Sequence, residues 1–291
     1  MLKILVTGAS GFIGKHFLEI NEGKYKMQAF SLLTNSLDSV SLKGVDCILH
    51  LAGVAHQKSI TSIESYRNVN TNLTKELATK AKQEGVQHFI FMSSVKVYGD
   101  SYSEAVLDIN SPTNPTDAYG ISKLEAEVEL KKLSDDIFTT SIVRTPVVFG
   151  PRVKGNIHSL MKYASKGIPL PLNGITNKRS MVGINNLVSM LNKIIDSKVE
   201  GIFIAGDDKA ISTSNLIDYI SAGLEAKNRN FKLPILIRHI IKTIKPGLYK
   251  RVFQSFEIDN KDSLNRLKIK SQVSTKEGIA LMAQWYKKNT Q

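Results

Sequence analysis

The chain has 291 residues, of which 42% are hydrophobic and 22% are charged. This ordinary composition excludes collagen-like, coiled-coil and wholly disordered proteins. One cysteine, Cys47, cannot form an internal disulfide or a thiolate-rich zinc site. We find neither an apolar run of about 18 residues nor a signal-peptide pattern, and we therefore expect a cytoplasmic protein.

The formal net charge is +13, and its distribution along the chain is uneven. Residues 227–291 contain 15 Lys and Arg but 4 Asp and Glu, whereas the preceding part is nearly neutral. A basic protein can bind nucleic acid, but the sequence contains no recognised DNA-binding motif. We therefore expect no nucleic-acid partner.

Strands and helices alternate through the first half of the chain. Short apolar runs predict strands at residues 3–7, 27–32, 46–52, 87–93 and 138–144, and helical spacing predicts helices at 12–21, 60–84 and 119–133. Such alternation predicts an α/β fold of the Rossmann type, a doubly wound parallel sheet with helices on both faces. We expect a dinucleotide-binding domain over residues 1–150. A smaller, mainly substrate-binding domain would cover 151–291, with some later segments, such as the strand at 201–205, returning to the first.

A glycine-rich turn joins the first strand to the first helix. In the sequence TGASGFIG, Gly8, Gly11 and Gly14 are spaced three apart. Glycine permits a tight turn and lets a pyrophosphate approach the backbone, and the helix N-terminus supplies unpaired N–H groups. The motif predicts a dinucleotide site, with a tight turn that binds nothing as the alternative.

Two further motifs follow in chain order. SSVKVYG, residues 93–99, ends the fourth strand, where an open α/β sheet presents its ligands. YGISK, residues 119–123, puts Tyr119 and Lys123 on the same face of a helix. An isolated Y-x-x-x-K is common by chance, but its position after the glycine turn and the serine pair makes the combination specific.

Together with HLAG (50–53), RTP (144–146) and FGP (149–151), these motifs resemble the extended short-chain dehydrogenases/reductases of the nucleotide-sugar epimerase/dehydratase family. The segment 155–186 is most similar to bacterial UDP-N-acetylhexosamine 4-epimerases and UDP-N-acetylquinovosamine 4-reductases. The resemblance implies a UDP-sugar substrate, a nicotinamide cofactor and a Rossmann fold.

The resemblance also implies the catalytic roles. Tyr119 would be the general acid/base, and a lysine ammonium within ~4–6 Å would lower its pKa by roughly one to three units. Lys123 would also hold the nicotinamide ribose. Ser94 would hydrogen-bond the reacting sugar oxygen, with Ser93 as the competing choice.

Binding residues are implied in the same way. The cofactor contacts would be Gly8, Gly11, Phe12, Ile13, Gly14, Ser31, Leu51, Ala52, Gly53, Asn70, Tyr119, Lys123 and Pro146. The substrate contacts would be Ser94, Lys96, Asn156 and Arg179. Residues 30–34 contain neither an acidic residue for the ribose 2′-hydroxyl nor an arginine for a 2′-phosphate, so NAD and NADP both stay open, with a slight preference for NADP. His50, His56 and His88 lack metal-ligand spacing, and we expect no metal.

The reaction class can be narrowed by one departure from the family pattern. Related 4,6-dehydratases carry an Asp-Glu pair after the catalytic hydroxyl residue, where this chain has Val95 and Lys96. A 4,6-dehydratase is therefore not expected. We favour slightly a 4-ketoreductase of bacterial surface-polysaccharide sugar synthesis, with a 4-epimerase that keeps NAD bound as the alternative. A different small substrate and a non-catalytic dinucleotide-binding scaffold or sensor are more distant alternatives.

Partners other than the substrate are suggested by two helical regions. By analogy with the family, helices near 61–84 and 118–133 would form a homodimer. A further helix is expected in the basic tail, because apolar residues with helical spacing alternate there with cations. The apolar residues are Ile235, Leu236, Ile240, Ile241 and Ile244, and the cations are Arg238, Lys242 and Lys245. A lid over the substrate is favoured for this helix over contact with an anionic membrane surface.

Overall fold

The computed structural model describes residues 1–32, 34–55 and 62–290. Its main sheet has six parallel strands in the order β2-β1-β3-β4-β5-β8. The strands are β1 (Lys3–Thr7), β2 (Lys26–Phe30), β3 (Cys47–His50), β4 (His88–Ser94), β5 (Thr139–Thr145) and β8 (Gly201–Ile204). A separate parallel pair is formed by β6 (Val147–Phe149) and β7 (Met181–Gly183).

Helices cover both faces of the main sheet. The helices are α1 (Phe12–Ile20), α2 (Ile63–Tyr66), α3 (Leu73–Gln83), α4 (Ala118–Leu133), α5 (Gly155–Ser165), α6 (Ile184–Ser197), α7 (Thr213–Gly223), α8 (Ile235–Ile244), α9 (Pro246–Phe253), α10 (Lys261–Leu267) and α11 (Thr275–Thr290). A π-helical segment, Arg67–Asn72, connects α2 to α3. Among the described residues, no helix is both long and apolar enough to cross a membrane.

Neighbouring residues of a strand point to opposite faces, and each face has its own core. Ile4 and Val6 of β1 pack with Phe17 of α1 and with the apolar side of α6. Leu5, between them, packs in a second cluster with Leu77 of α3 and with α4. Strands buried on both faces need nearly continuous apolar sequence, which explains the runs found in the sequence.

The predicted doubly wound parallel sheet is confirmed. The helix predicted over 60–84 begins at Ile63 and is divided by the π-helical segment, and residues 60–61 lie outside the described residues. The sequence analysis did not anticipate the β6–β7 pair or α6.

The later part of the chain contributes to two cores. α5, α7 and α11 pack around β6 and β7 in a cluster that contains Phe149 and Met161. In contrast, β8 and α6 return to the main sheet. The domain boundary near residue 150 stays a proposal. It requires that later segments return to the first domain, as we expected.

Candidate active site

Ser94 and Tyr119 lie side by side at the carboxyl end of β4. Ser94 is the last residue of β4, and Tyr119 lies in the first turn of α4. The helix begins here because the Asp117 side chain accepts a hydrogen bond from the Gly120 N–H at 2.8 Å. The hydroxyls of Ser94 and Tyr119 are hydrogen-bonded to each other. A strand end and a helix start therefore bring together two groups that are 25 residues apart in sequence.

Ser93 has a different hydrogen-bond partner on the same helix. Its Oγ donates a 2.5 Å hydrogen bond to the carboxylate of Glu127, which is buried in α4. Glu127 also accepts two bonds from Arg144 of β5, from Nε at 3.0 Å and from Nη2 at 2.6 Å. Of the two serines left open by the sequence, the geometry therefore favours Ser94 at the site, and Ser93 belongs to a buried polar network.

Lys123 is buried one helical turn after Tyr119. Its Nζ donates a 2.9 Å hydrogen bond to the Met92 carbonyl and lies 4.4 Å from the centre of the Phe91 ring. Burial lowers the pKa of Lys123 to about 7, although the charge of Glu127 opposes this change. The ammonium and the neutral amine are therefore similarly populated at neutral pH.

The expected effect of Lys123 on Tyr119 is not what the structure shows. Burial raises the pKa of Tyr119 to about 12, the bond to Ser94 lowers it, and the nearby Asp117 and Tyr66 raise it. The expected fall in the Tyr119 pKa was therefore wrong. The reason is that desolvation disfavours both charged groups, and that the ammonium is directed at the Met92 carbonyl.

The glycine turn lies directly after β1, and each glycine is needed for a different reason. Gly8 has a φ of +69°, and a Cβ there would lie 2.6 Å from the Ala52 nitrogen. A Cβ on Gly14 would lie 2.4 Å from the Gly8 carbonyl oxygen, so α1 can pack onto the turn only without a side chain. Gly11 is the N-cap of α1 and has no side chain to cap the first N–H groups.

Asn70 and Gly53 hold the end of β3 against α4. The Asn70 side chain accepts from the Val54 N–H at 2.8 Å, and its amide donates to the Val54 carbonyl and to Ser122 Oγ, each at 3.0 Å. A Cβ on Gly53 would lie 3.1 Å from the Lys123 Nζ and 3.0 Å from the Asn70 Oδ1. Asn70 is thus placed next to the lysine, although its polar atoms are bonded within the protein.

A cavity of about 460 Å³ opens over these groups. It brings together ten of the residues singled out by sequence: Ile13, Leu51, Gly53, Ser94, Lys96, Tyr119, Lys123, Pro146, Asn156 and Arg179. The other implied cofactor residues near the glycine turn and β3 do not line this cavity: Gly8, Gly11, Phe12, Gly14, Ala52 and Asn70. Ser31 is exposed after β2, the edge strand that pairs with β1.

Three further cations, Lys96, Arg179 and Arg251, line the cavity together with the acidic Asp100. Lys96 Nζ forms a 2.9 Å ion pair with Asp117 and is 3.2 Å from Ser101 Oγ. Arg179 donates from Nη1 to the carbonyls of Ser101 and Gln254, at 3.2 and 3.0 Å. Its pKa is lowered by burial and by the nearby charge of Arg251.

Comparison with known proteins places this site in a family. The model of the "NAD dependent epimerase/dehydratase family" matches residues 4–206. The chain belongs to this family. It is 31% identical to a UDP-glucose 4-epimerase of Vibrio cholerae, and the match covers 97% of this chain and 94% of that protein. It is also 28% identical to the N-acetyl-alpha-D-glucosaminyl-diphospho-ditrans,octacis-undecaprenol 4-epimerase of Escherichia coli O157:H7, over 79% of this chain and 75% of the relative.

Solved structures of the epimerase/dehydratase type share the fold. The UDP-glucuronic acid 4-epimerase from Bacillus cereus in complex with NAD has a TM-score of 0.80 at 19% identity, covering 99% of this chain and 97% of its own. RMD from Pseudomonas aeruginosa complexed with NADPH has a TM-score of 0.80 at 16% identity, covering both chains completely. At this identity the likeness establishes the fold, the parallel sheet with helices on both sides.

Arg251 of α9 was missed by the sequence analysis, although it lines the same cavity as Arg179 and Tyr119. The basic tail was read as one charged segment, and no local motif separates this arginine from its neighbours. Only the packing of α9 against the site shows that Arg251 differs from the other cations of the tail.

The histidines on β3 and β4 have structural partners. His50 lies between the Thr7 and Thr74 hydroxyls at 2.8 and 2.9 Å, and burial lowers its pKa to about 3. His88 is 2.8 Å from the Ser141 hydroxyl, and burial lowers its pKa to about 4. Both are neutral at physiological pH, and His56 lies outside the described residues.

Proposed function

We propose that this epimerase/dehydratase moves a hydride at C4 of a UDP-linked hexose. The observation that carries the proposal is the hydrogen-bonded Ser94–Tyr119 pair beside buried Lys123, in a cavity that two arginines also line. A proton-transfer group, an oxygen-binding hydroxyl and a buried cation together suit oxidation of an alcohol or reduction of a ketone.

The residues around the glycine turn fit a nicotinamide dinucleotide. The first N–H groups of α1 carry no side-chain cap at Gly11, and Gly53 leaves space beside the Lys123 ammonium. The thirteen cofactor contacts implied by the sequence stay part of this proposal. When bound, the cofactor accepts and returns the hydride.

In this mechanism, Tyr119 moves the proton at the C4 oxygen. In the oxidative direction its phenolate takes the hydroxyl proton as the hydride leaves C4, and in the reductive direction its phenol returns a proton to that oxygen. Ser94 donates a hydrogen bond that fixes the same oxygen. Lys123 places a positive charge next to the pair and holds the ribose hydroxyls.

The diphosphate of the substrate would bind between Asn156, Arg179 and Arg251. Asn156 lies in the first turn of α5, where N–H groups attract an anion, and the two guanidiniums supply fixed positive charge. Lys96 would face the sugar. Val95 and Lys96 stand where a 4,6-dehydratase needs two carboxyl groups, and Val95 is buried, so water elimination is not part of the proposal.

Two forms of the reaction remain candidates. A 4-epimerase is supported by the Vibrio cholerae relative, which matches nearly the whole chain. A 4-ketoreductase is the form that the sequence analysis slightly favoured. A slight preference for NADP and a place in surface-polysaccharide sugar synthesis are proposed with the second form.

The assay of cofactor released from the purified, denatured protein separates the two forms. Near-stoichiometric NAD supports the epimerase, and UDP-glucose and UDP-N-acetylglucosamine are then the substrates to test. An empty protein that oxidises NADPH with a UDP-4-keto sugar supports the reductase. A protein that neither retains nor binds any dinucleotide would contradict both forms.

We also propose a homodimer through the helical region 61–84, which contains α3, and through α4. The two helical segments lie side by side, joined by the Arg67–Glu125 and Lys75–Glu129 ion pairs. They form one two-helix surface on which Val128 is exposed. Analytical ultracentrifugation of the wild type and of Val128→Asp tests this, since the variant would be monomeric.

A further inference from the structure

Helix α8 exposes its apolar side to solvent. Leu236, Ile240 and Ile244, spaced four residues apart on one face, are 74%, 49% and 69% exposed. Ile237, beside this row, is 45% exposed. No residue of α8 is buried.

Two cations of α8 lie beside aromatic rings of α9 but remain exposed, and Ile241 is the partly buried residue of the helix. The Arg238 guanidinium lies 5.0 Å from the centre of the Phe253 ring and 5.7 Å from that of Tyr249, both on α9. Lys242 Nζ lies 5.9 Å from the Tyr249 ring. These contacts fix the rotation of α8 on α9 and direct the row of Leu236, Ile240 and Ile244 outward.

This exposure of the apolar row is unusual. A surface helix of a globular protein normally turns its apolar stripe to the core and its charges to water. A contiguous exposed apolar stripe with a regular helical repeat indicates an interaction surface. The exposed apolar row of α8 therefore fits a partner that is apolar and that accepts many neighbouring cations.

We propose that α8 docks on an anionic lipid bilayer surface. The segment 227–256, which contains α8 and α9, has eight Lys and Arg and no Asp or Glu. Anionic headgroups would attract this charge while the apolar row enters the boundary with the acyl chains. A second copy of the chain would cover the row but would bring the same positive charge against it, which disfavours that occupant.

Docking would place the active-site entrance at the bilayer. Leu248, Arg251 and Val252 of α9 line a largely apolar chamber of about 510 Å³. The chamber shares Asn156 and Arg179 with the cavity over Tyr119. The inference goes beyond the proposed function, since membrane docking does not depend on which sugar reacts.

Flotation with lipid vesicles tests the inference without any substrate. We expect the wild type to float with phosphatidylglycerol-containing vesicles at a physiological salt of ~0.15 M, and to float poorly with pure phosphatidylcholine. The double variant Leu236→Asp/Ile240→Asp should bind at least about tenfold less, since each carboxylate would be placed in the apolar boundary. Ile137→Asp is the matched control, because Ile137 is 73% exposed outside the tail and the variant should float like the wild type.

Three results would overturn the inference. They are absence of wild-type flotation with anionic vesicles, equal flotation of the double variant, and equal flotation with phosphatidylcholine. Sedimentation adds an independent measurement. If the double variant is a smaller oligomer than the wild type, a second copy covers α8 and the bilayer is not its partner.

Discussion

Ser93 and Ser94 are neighbours on β4, yet their hydroxyls belong to separate networks, Ser93 to buried Glu127 and Ser94 to Tyr119. Both serines line the cavity, but the Ser93 hydroxyl is bonded to a buried carboxylate whereas the Ser94 hydroxyl is bonded to the phenol. A substitution at each position therefore tests a different property.

Ser94→Ala should lower kcat by about 10²-fold, the order found when one hydrogen-bond donor to a reacting oxygen is removed. Ser93→Ala should instead lower the free energy of unfolding by about 1.5–3 kcal/mol, because a buried carboxylate loses a donor, while kcat changes little. Steady-state kinetics and urea unfolding of both variants measure this. Equal losses of kcat in two folded variants would show that the serines were assigned wrongly.

Glu127→Gln should destabilise the protein by about 3–5 kcal/mol, because it leaves the buried Arg144 guanidinium without its counter-charge. The control is Glu19→Gln, which breaks the exposed pair with Arg152 and should cost no more than about 1 kcal/mol. Urea midpoints at constant m-value provide the comparison. A similar, small effect of both substitutions would refute a structural role for the buried pair.

The buried Lys123 should make stability depend on pH. Its pKa is about 7 in the folded protein and about 10.4 in an unfolded chain, so the unfolded state binds more protons between these values. The free energy of unfolding contributed by this group therefore rises as the pH increases from 7 to 10, by up to a few kcal/mol. The difference between wild type and Lys123→Met, measured over this range, isolates the contribution. A difference that is constant with pH would mean that Lys123 titrates normally.

Gly53→Ala should weaken dinucleotide binding by about tenfold or more, because the new methyl group would displace the Lys123 ammonium or the Asn70 amide, each within about 3.1 Å. Gly247→Ala is the control, since a Cβ there has no neighbour within 4 Å. Titration with NADH and NADPH, followed by fluorescence, gives both affinities. Unchanged affinity in a folded Gly53→Ala protein would show that Gly53 does not lie at the dinucleotide site.

Arg251→Gln should raise the KM for the nucleotide sugar by about tenfold with little change in kcat, because we propose that Arg251 binds the diphosphate, away from the reacting carbon. Arg229→Gln, an exposed cation of the same tail, should leave both constants unchanged. A fall in kcat at constant KM would contradict the assignment of Arg251 to binding.

The sequence alone determined the alternation of strands and helices in the first half of the chain and the motifs of the candidate site. Apolar runs buried on both faces, glycines at a strand–helix junction and a Tyr–Lys pair on one helix face are local patterns with local physical causes. The catalytic serine could be narrowed to two neighbours but not chosen, because the Ser93 partner lies 34 residues away on α4.

Tertiary structure decided which groups become neighbours and how deeply they are buried. The high pKa of Tyr119 and the low pKa of Lys123 come from desolvation, which no spacing in the sequence reports. The packing of α9 brings Arg251 to the cavity, and the contact of Arg238 with Tyr249 and Phe253 turns α8 outward. The sequence shows that α8 is amphipathic, but the direction of its apolar face depends on long-range contacts.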